Sequence, residues 1–415
     1  IHAHLEHEAR VQGITVRFTY QDTANHFAHT SAERAYDCTG LMELLNVRFE
    51  EKELFRAQLI DATGVLQNVF FEMEGGFEAY ARNETKNVIM FDTTWGTNRY
   101  NMKLGFFTTV GLNGETLILA AVIAMHETRS SFQWAFERFK ECFKIPPAVI
   151  ITDGDPGIIG ACASQLPHTL RFACTWHLSL NFTTHIRPVL AFNWQVWHAV
   201  LNAWWRLAKQ TDVSAKATFD DDFQKIVDVV AALKPKGTDT RATAKHAAAI
   251  KWLEWLRSVK HTWAACFTWA ICTLGVHSTQ RSESIHAAIK RLMLTNLLLT
   301  DLVKALDMYK MCHMVQGELR KEKQQLTLVY YSKDDMPAVR ELIKTGLVSP
   351  HAIELVRAQA AQARQYVCAP AGLDSEGRDV FRVTRALTGS GAARAHARAH
   401  CATGGTDAAG GAGVA

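Results

Sequence analysis

Five short apolar runs between residues 88 and 174 constrain the fold of this 415-residue chain more than any other feature. The first three cover residues 88–91, 105–110 and 116–125, and Asn113-Gly114 is a hairpin signal between the last two. Apolar runs of this length between turn residues are typical of buried strands. They therefore predict three consecutive antiparallel strands.

Two helices and two more strands are predicted to follow. Ser130-Ser131 precedes a stripe of apolar residues at helical spacing, which predicts a capped amphipathic helix. The remaining runs, 149–151 and 170–174, predict strands on either side of a helix that begins at Pro156. The order of three strands, helix, strand, helix and strand predicts an α/β fold in which helices cover a mixed sheet, the layout of the RNase H-like fold.

A long all-α, tryptophan-rich segment is predicted next. Apolar residues recur there at helical intervals, and eight of the eleven tryptophans lie between Trp194 and Trp269. A tryptophan stripe is more often core than a base-stacking surface, so we expect these residues to pack together. Ser278 or Thr279 then caps a further helix over about 280–293.

Composition excludes membrane proteins more clearly than it selects a function. The formal charge of +4 favours an anionic partner only slightly in so long a chain. The nine cysteines are an odd number without framework spacing, which predicts reduced thiols in an intracellular protein, and no CxxC pair occurs. The longest apolar stretch, Leu117 to Met125, is far shorter than the roughly 20 residues that a membrane helix needs, so we expect a soluble protein. Because the chain begins at Ile1 rather than Met, we expect a fragment of a longer protein.

Two aspartates and a glutamate are the candidate catalytic residues. Asp92 and Asp153 each follow an apolar run, and each is expected at a strand end of the same sheet. A single aspartate there is more often a turn or cap residue, but two on neighbouring strands favour a shared site. Glu283 lies in the first turn of the later helix, where the alternative is a solvated residue favoured by the helix dipole. Three carboxylates suit two Mg²⁺ or Mn²⁺ ions rather than zinc, and such a pair supports in-line phosphoryl transfer.

Three residues near these carboxylates have competing interpretations. Asp155 is a rival ligand, but its place before Pro156 also suits a helix cap, which we favour. Cys174 and His177 have the spacing of a zinc half-site. A structural zinc needs four ligands and no second pair is apparent, so zinc is the less favoured interpretation.

Four short blocks contain most of these residues. They are Phe91-Asp92-Thr93-Thr94-Trp95-Gly96-Thr97-Asn98-Arg99-Tyr100, Ile151-Thr152-Asp153-Gly154-Asp155, Cys174-Thr175-Trp176-His177-Leu178 and Thr279-Gln280-Arg281-Ser282-Glu283-Ser284. In type and order they resemble the blocks of Mutator-like element transposases, in the branch that includes the plant far-red-impaired-response proteins. Similarity runs from about residue 66 to about residue 292, with a helical insertion before the last block.

The resemblance implies a DDE-type DNA transposase in which Asp92, Asp153 and Glu283 are catalytic and hold two Mg²⁺ or Mn²⁺ ions. Such an enzyme cuts DNA at terminal inverted repeats and joins the freed 3′ ends to target DNA. The implied partners are therefore repeat and target DNA, and the implied location is the nucleus. Paired cutting of two ends implies a homo-oligomer that is at least a dimer.

The resemblance also places Cys174 and His177 near the active site. His286, one helical turn after Glu283, stands where relatives commonly carry Asn. We find neither an N-terminal zinc-binding DNA domain nor a C-terminal CxC…CxH finger, modules that would read base edges in such proteins.

These patterns divide the chain into six predicted segments. The α/β fold is interrupted by the helical insertion, whose two halves meet at a break over Lys234-Pro235-Lys236-Gly237. From Ala369 onward, Ala, Gly and Arg dominate without periodicity, which predicts a disordered tail. The segments are an N-terminal mixed region at 1–80, the first part of the catalytic domain at 81–178, the insertion at 179–276, the end of the catalytic domain at 277–315, C-terminal helices at 316–368 and the tail at 369–415.

Basic side chains around the predicted catalytic face are candidate DNA contacts. They are Arg99, Lys103, Arg281, Lys290 and Arg291. A lysine or arginine is more often a solvated surface charge, so for each of them the alternative is no contact with DNA.

Two other functions are compatible with the same residues. In the first, the chain is a domesticated, transposase-derived DNA-binding transcriptional regulator without catalysis. In the second, it is a simple RNase H-like nuclease without strand transfer, although a compact nuclease needs no long insertion. Terminal inverted repeats flanking the gene would favour the transposase.

Overall fold

The computed structural model describes the chain from Asp37 to Arg385, with internal gaps. The described residues are 37–52, 54–82, 88–94, 96–111, 114–190, 193–233, 240–268, 271, 273, 275–292, 297–325, 335, 337–345, 350–363, 366–373 and 379–385. Asn113 of the predicted hairpin, the predicted break at 234–237 and residues 386–415 of the predicted tail lie outside them.

Strands and helices alternate in the first part of the described chain, and helices predominate afterwards. The strands are β1 (Arg56–Ile60), β2 (Leu66–Glu72), β3 (Val88–Thr94), β4 (Lys103–Val110), β5 (Thr116–Ala124), β6 (Val149–Thr152), β7 (Leu170–Ala173), β8 (Tyr366–Leu373) and β9 (Asp379–Arg385). The helices are α1 (Asp37–Lys52), α2 (Gly76–Arg82), α3 (Arg129–Phe143), α4 (Pro156–Gln165), α5 (Thr175–Ile186), α6 (Trp194–Lys209), α7 (Phe219–Ala232), α8 (Thr240–Ser258), α9 (Ala265–Thr268), α10 (Gln280–Leu292), α11 (Leu299–Gln325), α12 (Pro337–Thr345) and α13 (Pro350–Ala363). Among the described residues, no helix combines the length and the apolar character needed to span a membrane.

Seven strands form one mixed sheet in the order β1-β2-β5-β4-β3-β6-β7. β3, β4 and β5 pair as consecutive antiparallel neighbours, as the apolar runs predict. β6 pairs in parallel with both β3 and β7, while β1 and β2 extend the other edge as an antiparallel hairpin. The predicted α/β class with a mixed sheet is therefore confirmed.

The parallel pair of β3 and β6 sets the position of the two aspartates. Met90 of β3 lies opposite Ile151 of β6 at the end of their paired segment. Both strands are buried apolar runs, as expected of strands that are covered on both faces. Asp92 and Asp153 each lie two residues beyond this pair, so they hold equivalent positions on strands that are about 4.8 Å apart.

One face of the sheet is covered by α3 through an aromatic layer. Phe136 and Phe139 are fully buried, and the ring of Phe139 stacks on Phe107 of β4 with 4.6 Å between centroids. Burial of each such ring contributes about 1.5–3 kcal/mol to stability. The predicted helix is confirmed, but its N-terminal cap is Thr128 rather than Ser130-Ser131. The Thr128 side chain accepts a hydrogen bond from the amide of Ser131, three residues further along the chain.

The opposite face of the sheet carries α1, α10 and α11. Ile285 and Ile289 of α10 are buried in the same cluster as Phe106 of β4. These two isoleucines are one helical turn apart, so they anchor one side of α10 to the sheet. The predicted helix over about 280–293 is confirmed, and its first turn lies beside β3.

The helices from α5 to α9 share an aromatic core of their own. Trp197, Trp204 and Trp263 are buried, and Phe182 stacks on Trp204 with 5.2 Å between ring centroids. The prediction that the tryptophans pack together is confirmed for these residues. Trp194 is different, since 59% of its surface is exposed.

The described residues fall into two compact units, which divide within α11 between Leu319 and Arg320. In the second unit, Arg357 binds Asp335 with two hydrogen bonds of 3.0 Å. β8 and β9 pair there as an antiparallel hairpin. The prediction of a disordered tail from residue 369 is therefore wrong for 369–373 and 379–385. That prediction rested on the Ala- and Gly-rich composition of the whole tail and overlooked the strand-forming Val, Phe and Thr residues of β9.

Candidate active site

The two predicted aspartates lie at the ends of the central parallel strands. Asp92 is 5% exposed and lies opposite Phe106 of β4 in the sheet register. Asp153 follows β6, and its Oδ1 atom accepts a hydrogen bond of 3.1 Å from the Asp155 amide. This bond fixes the turn that leads into α4.

Burial makes both aspartates poor at holding a negative charge. Burial raises the pKa of Asp92 to about 7; the carboxylates of Glu283 and Asp153 act in the same direction, and the charge of His177 opposes them. Burial also raises the pKa of Asp153, against the opposing effects of the Asp155 amide and His177. The ionised forms of Asp92 and Asp153 are therefore unfavourable in the folded protein, and a nearby positive group would stabilise them.

Asp155 acts as the cap of α4. Its Oδ1 atom accepts hydrogen bonds from the amides of Gly157 at 2.7 Å and Ile158 at 3.1 Å. Pro156 occupies the first helical position, where its missing N–H is not needed. The favoured interpretation of Asp155 as a cap is confirmed.

Glu283 reaches the aspartates from the first turn of α10. Its Oε1 atom lies 3.1 Å from Nε2 of His177, and about a third of its side chain is exposed. Burial raises the pKa of Glu283, and the charge of His177 opposes this. The sheet and a helix far along the sequence therefore bring Glu283 to His177, whose charge also acts on Asp92 and Asp153.

His177 supplies the positive charge among these carboxylates. Burial alone would lower its pKa, but the Cys174 sulfur and the charges of Asp92 and Glu283 raise it to about 9. The ring is therefore protonated at neutral pH. The predicted position of His177 near the site agrees with this geometry.

Cys174 joins the start of α5 to the chain just before α10. Its Sγ atom accepts hydrogen bonds from the Thr279 amide at 3.2 Å and the Thr279 hydroxyl at 3.4 Å. It also caps α5 by accepting from the His177 amide. Both the amide and the hydroxyl of Thr175 donate to the carbonyl of His277. We call these contacts of Cys174 and Thr175 with His277 and Thr279 the clasp.

His286 lies beneath the carboxylates as a neutral ring. It is 4% exposed and stacks on Phe106, with 4.8 Å between centroids. Burial lowers its pKa to about 3. Its Nε2 atom is 3.9 Å from Oδ2 of Asp92, beyond hydrogen-bond distance, and neither ring nitrogen has a hydrogen-bond partner in the described chain.

Sequence reasoning missed the hydroxyl groups that hold α10 in place. The buried hydroxyls of Thr108 on β4 and Ser282 on α10 are 2.8 Å apart. Thr279 contacts both Cys174 and Nδ1 of His177. The only sequence signal for these roles was the position of Thr279 and Ser282 on either side of Arg281 in the Glu283 block.

Asp92, Glu283 and His177 line an open cleft of about 300 Å³, and Asp153 is not among its lining residues. The lining residues are Asp92, Thr93, Thr94, His177, Glu283, His286, Ala287 and Lys290. Within the described part of the chain, no three His, Cys, Asp or Glu side chains are already arranged to hold a metal ion. Cys174 and His177, the less favoured zinc pair, therefore belong to no such group among the described residues.

The five predicted DNA contacts have different environments. Arg281 donates to the Gly114 carbonyl at 2.7 Å, so it joins α10 to the connection before β5. Lys103 forms a 3.3 Å ion pair with Glu127. Lys290 lines the cleft and Arg99 is exposed, whereas the side chain of Arg291 lies outside the described residues.

The comparisons with known proteins fall on the same segments. A family model of the MULE transposase domain matches residues 88–181. This range runs from β3 into α5 and includes Asp92, Asp153, Cys174 and His177. Glu283 lies outside it.

Individual relatives extend the resemblance. Protein FAR1-RELATED SEQUENCE 5 of Arabidopsis thaliana is 31% identical over 93 residues, which are 22% of this chain and 12% of that protein. Protein FAR-RED IMPAIRED RESPONSE 1 of the same plant is 20% identical over 255 residues, which cover 58% of this chain and 26% of that protein. The chain therefore spans only part of the length of the curated relatives that it matches.

One solved structure, the Drosophila P element transposase strand transfer complex, is 9% identical and covers 74% of this chain and 98% of its own, with a TM-score of 0.34. A score of this size does not establish a common fold. The family model and the plant relatives rest on sequence alone, and they agree with one another. Residues 88–181 are therefore similar to the MULE transposase domain, and the resemblance of the chain to Mutator-like element transposases, in the branch that includes the far-red-impaired-response proteins, is confirmed.

Proposed function

We propose that this chain is the catalytic part of a DDE-type transposase that cuts and joins DNA. The observation that carries the proposal is that Asp92, Glu283 and His177 line one open cleft, and that the charge of His177 acts on Asp153 as well. Two of the carboxylates lie within the MULE transposase domain, and the third comes from a helix about 100 residues further along.

The sheet supports an RNase H-like fold for this catalytic part. β3, β4 and β5 are antiparallel, and β6 and β7 continue the sheet in parallel after α3 and α4. This order is the one that the apolar runs predict for that fold. In this proposal, the helices from α5 to α9 form the insertion before the last catalytic helix.

Divalent metal ions fit the chemistry of the site. Its candidate ligands are the oxygen atoms of Asp92, Asp153 and Glu283, which suit Mg²⁺ or Mn²⁺. Burial raises the pKa values of all three, so a bound cation would favour their ionised forms. The chemistry that two such ions supply when bound is activation of a water or a 3′-hydroxyl and stabilisation of the leaving oxygen.

The chain's own residues contribute charge and position. Protonated His177 offsets the repulsion among the carboxylates and presents a cation to a DNA phosphate. Lys290 adds a second basic group at the cleft wall. His286 is neutral and stacked on Phe106, so it supports the floor of the cleft without adding charge.

The experiment uses the full chain with Mn²⁺ and a plasmid that carries the genomic DNA flanking the coding sequence. We expect nicking and strand transfer that disappear in Asp92→Asn, Asp153→Asn and Glu283→Gln. Glu137→Gln, an exposed carboxylate on α3, is the matched control and should retain activity. Activity that persists in the three carboxylate variants would overturn the mechanism, and nicking without joining would indicate a simple nuclease.

A domesticated DNA-binding regulator is the second candidate function. The observation in its favour is that Glu283 is engaged by His177 and that the described side chains form no ready metal site. This function predicts DNA binding in EDTA with no Mn²⁺-dependent cleavage. Both functions place the protein in the nucleus, which imaging of a fluorescent fusion would test, and the transposase should form at least a dimer on DNA.

A further inference from the structure

The α6 helix carries a stripe of aromatic and basic side chains on its exposed side. Trp194, His198, Trp205 and Lys209 are separated by four, seven and four residues, so they lie along one side of the helix. The stripe is about 22 Å long at 1.5 Å per residue. It borders the buried side that carries Trp197 and Trp204, and Trp205 of the stripe is half-buried and packs against that core.

Cations lie over both ends of this stripe. The Arg187 guanidinium is 5.7 Å from the ring centroid of Trp194, and Lys209 Nζ is 4.6 Å from that of Trp205. The ring of His198 meets Trp194 edge-on, with 4.2 Å between centroids. Although these contacts hold it in place, Trp194 remains 59% exposed. A large ring held at the surface by cations offers its remaining area to a planar partner.

The surrounding sequence has a strong charge bias. Residues 156–211 contain no Asp or Glu, although 41 of the 415 residues of the chain are acidic. The same stretch contains Arg171, Arg187, Arg206 and Lys209. The stripe therefore lies in a segment that favours a polyanion over an acidic or purely apolar partner.

We propose that the α6 stripe binds DNA with unpaired bases, with Trp194 stacking on a base and Arg187 and Lys209 contacting phosphates. Aromatic rings combined with cations along a groove or ridge are the general recognition chemistry of single-stranded nucleic acid. The inference rests on the proposed function, to which it adds a DNA surface outside the carboxylate cleft. A fully paired duplex hides its base faces, so the surface selects DNA that is single-stranded or locally opened.

The test measures the affinity of the full chain for a fluorescent single-stranded DNA of about 16 nucleotides by anisotropy, in EDTA so that no chemistry occurs. Trp194→Ala should weaken binding by about 5- to 150-fold, the range expected for losing one stacked base. Trp194→Phe should retain most of the affinity. Arg187→Gln and Lys209→Gln should each reduce the slope of log Kd against log salt by roughly 0.7.

Trp255→Ala is the matched control, because Trp255 is 40% exposed on α8 and no described cation lies over its ring. It should leave the affinity unchanged. Unchanged binding by Trp194→Ala, or an equal loss by Trp255→Ala, would overturn the proposal. If Trp194→Ala weakens binding to blunt duplex DNA as much as binding to single-stranded DNA, the stripe contacts phosphates alone and the proposal is overturned. A change of oligomeric state in Trp194→Ala would also overturn it, because the stripe would then be an interface between copies of the chain. Because binding is measured without catalysis, its failure is separate from a failure to cut DNA.

Discussion

The Nε2 atom of His177 on α5 lies 3.1 Å from Oε1 of Glu283 on α10. Along the sequence, α5 precedes the helices α6 to α9 and α10 follows them. The imidazole is charged at neutral pH because the pKa of His177 is raised to about 9. Four predictions follow from this contact and its surroundings.

Replacing His177 with Gln should change the pH dependence of stability. The folded-state pKa of His177 is raised from 6.5 to about 9, so its stabilisation is fully present below about pH 6.5 and is lost as the pH rises through about 9. We expect the wild type to exceed His177→Gln by on the order of 2 kcal/mol at pH 6, and the two to converge by pH 9.5. Denaturant unfolding in EDTA measures this, and a pH-independent difference would contradict the assignment.

Asp92→Asn should stabilise the metal-free protein while abolishing strand cleavage. Burial raises the pKa of Asp92 to about 7, so the folded state favours the protonated form and loses stability as the pH rises from about 4 through about 7. Removing the charge should therefore raise the free energy of unfolding by on the order of 1–3 kcal/mol at pH 8. The gain should largely vanish at pH 4, and a loss of stability at pH 8 would be the contrary result.

Thr279→Val should loosen the clasp. The substitution keeps the side-chain shape and removes the hydroxyl that contacts Cys174 Sγ and His177 Nδ1. We expect a loss of about 1 kcal/mol in unfolding free energy and a lower rate of cleavage. Ser284→Ala, in the first turns of the helix that follows Thr279, removes an exposed hydroxyl and is the matched control. Equal effects of the two substitutions on the cleavage rate would argue against the role of Thr279.

Asp155→Ala should destabilise the protein without abolishing chemistry. Its carboxylate caps α4, and loss of a cap costs about 1 kcal/mol. Asp155→Asn retains a capping oxygen and should be close to wild type in both thermal unfolding and cleavage. Loss of cleavage in Asp155→Asn would instead identify Asp155 as a metal ligand.

Local sequence pattern was sufficient for the five strands from β3 to β7 and for the positions of the two aspartates, but not for the hairpin of β1 and β2. Apolar runs define β3 and β6, and a strand fixes the position of the residue that follows it. The capping role of Asp155 could also be predicted from sequence, because Asp155 directly precedes Pro156 at the first helical position. Glu283 depended on the family resemblance, because no local rule states which distant helix will pack beside β3.

Other features were beyond local pattern for physical reasons. The partnership of Cys174 with Thr279 depends on tertiary packing between segments 105 residues apart. The exposure of Trp194 but not Trp197 depends on which side of α6 meets its neighbours. Thr128 was missed as the cap because Ser130 and Ser131 are equally good capping residues on sequence alone.

Because of the clasp, the geometry of the cleft does not depend on the length of the chain between α5 and α10. Hydrogen bonds from Thr175 to His277 and from Thr279 to Cys174 close a loop at its base. The entropy of closing a flexible loop grows only slowly with its length, so residues added or removed far from the base scarcely affect its closure. The helices between α5 and α10 are therefore free to diverge in size and surface among related chains while Glu283 keeps its place opposite the aspartates.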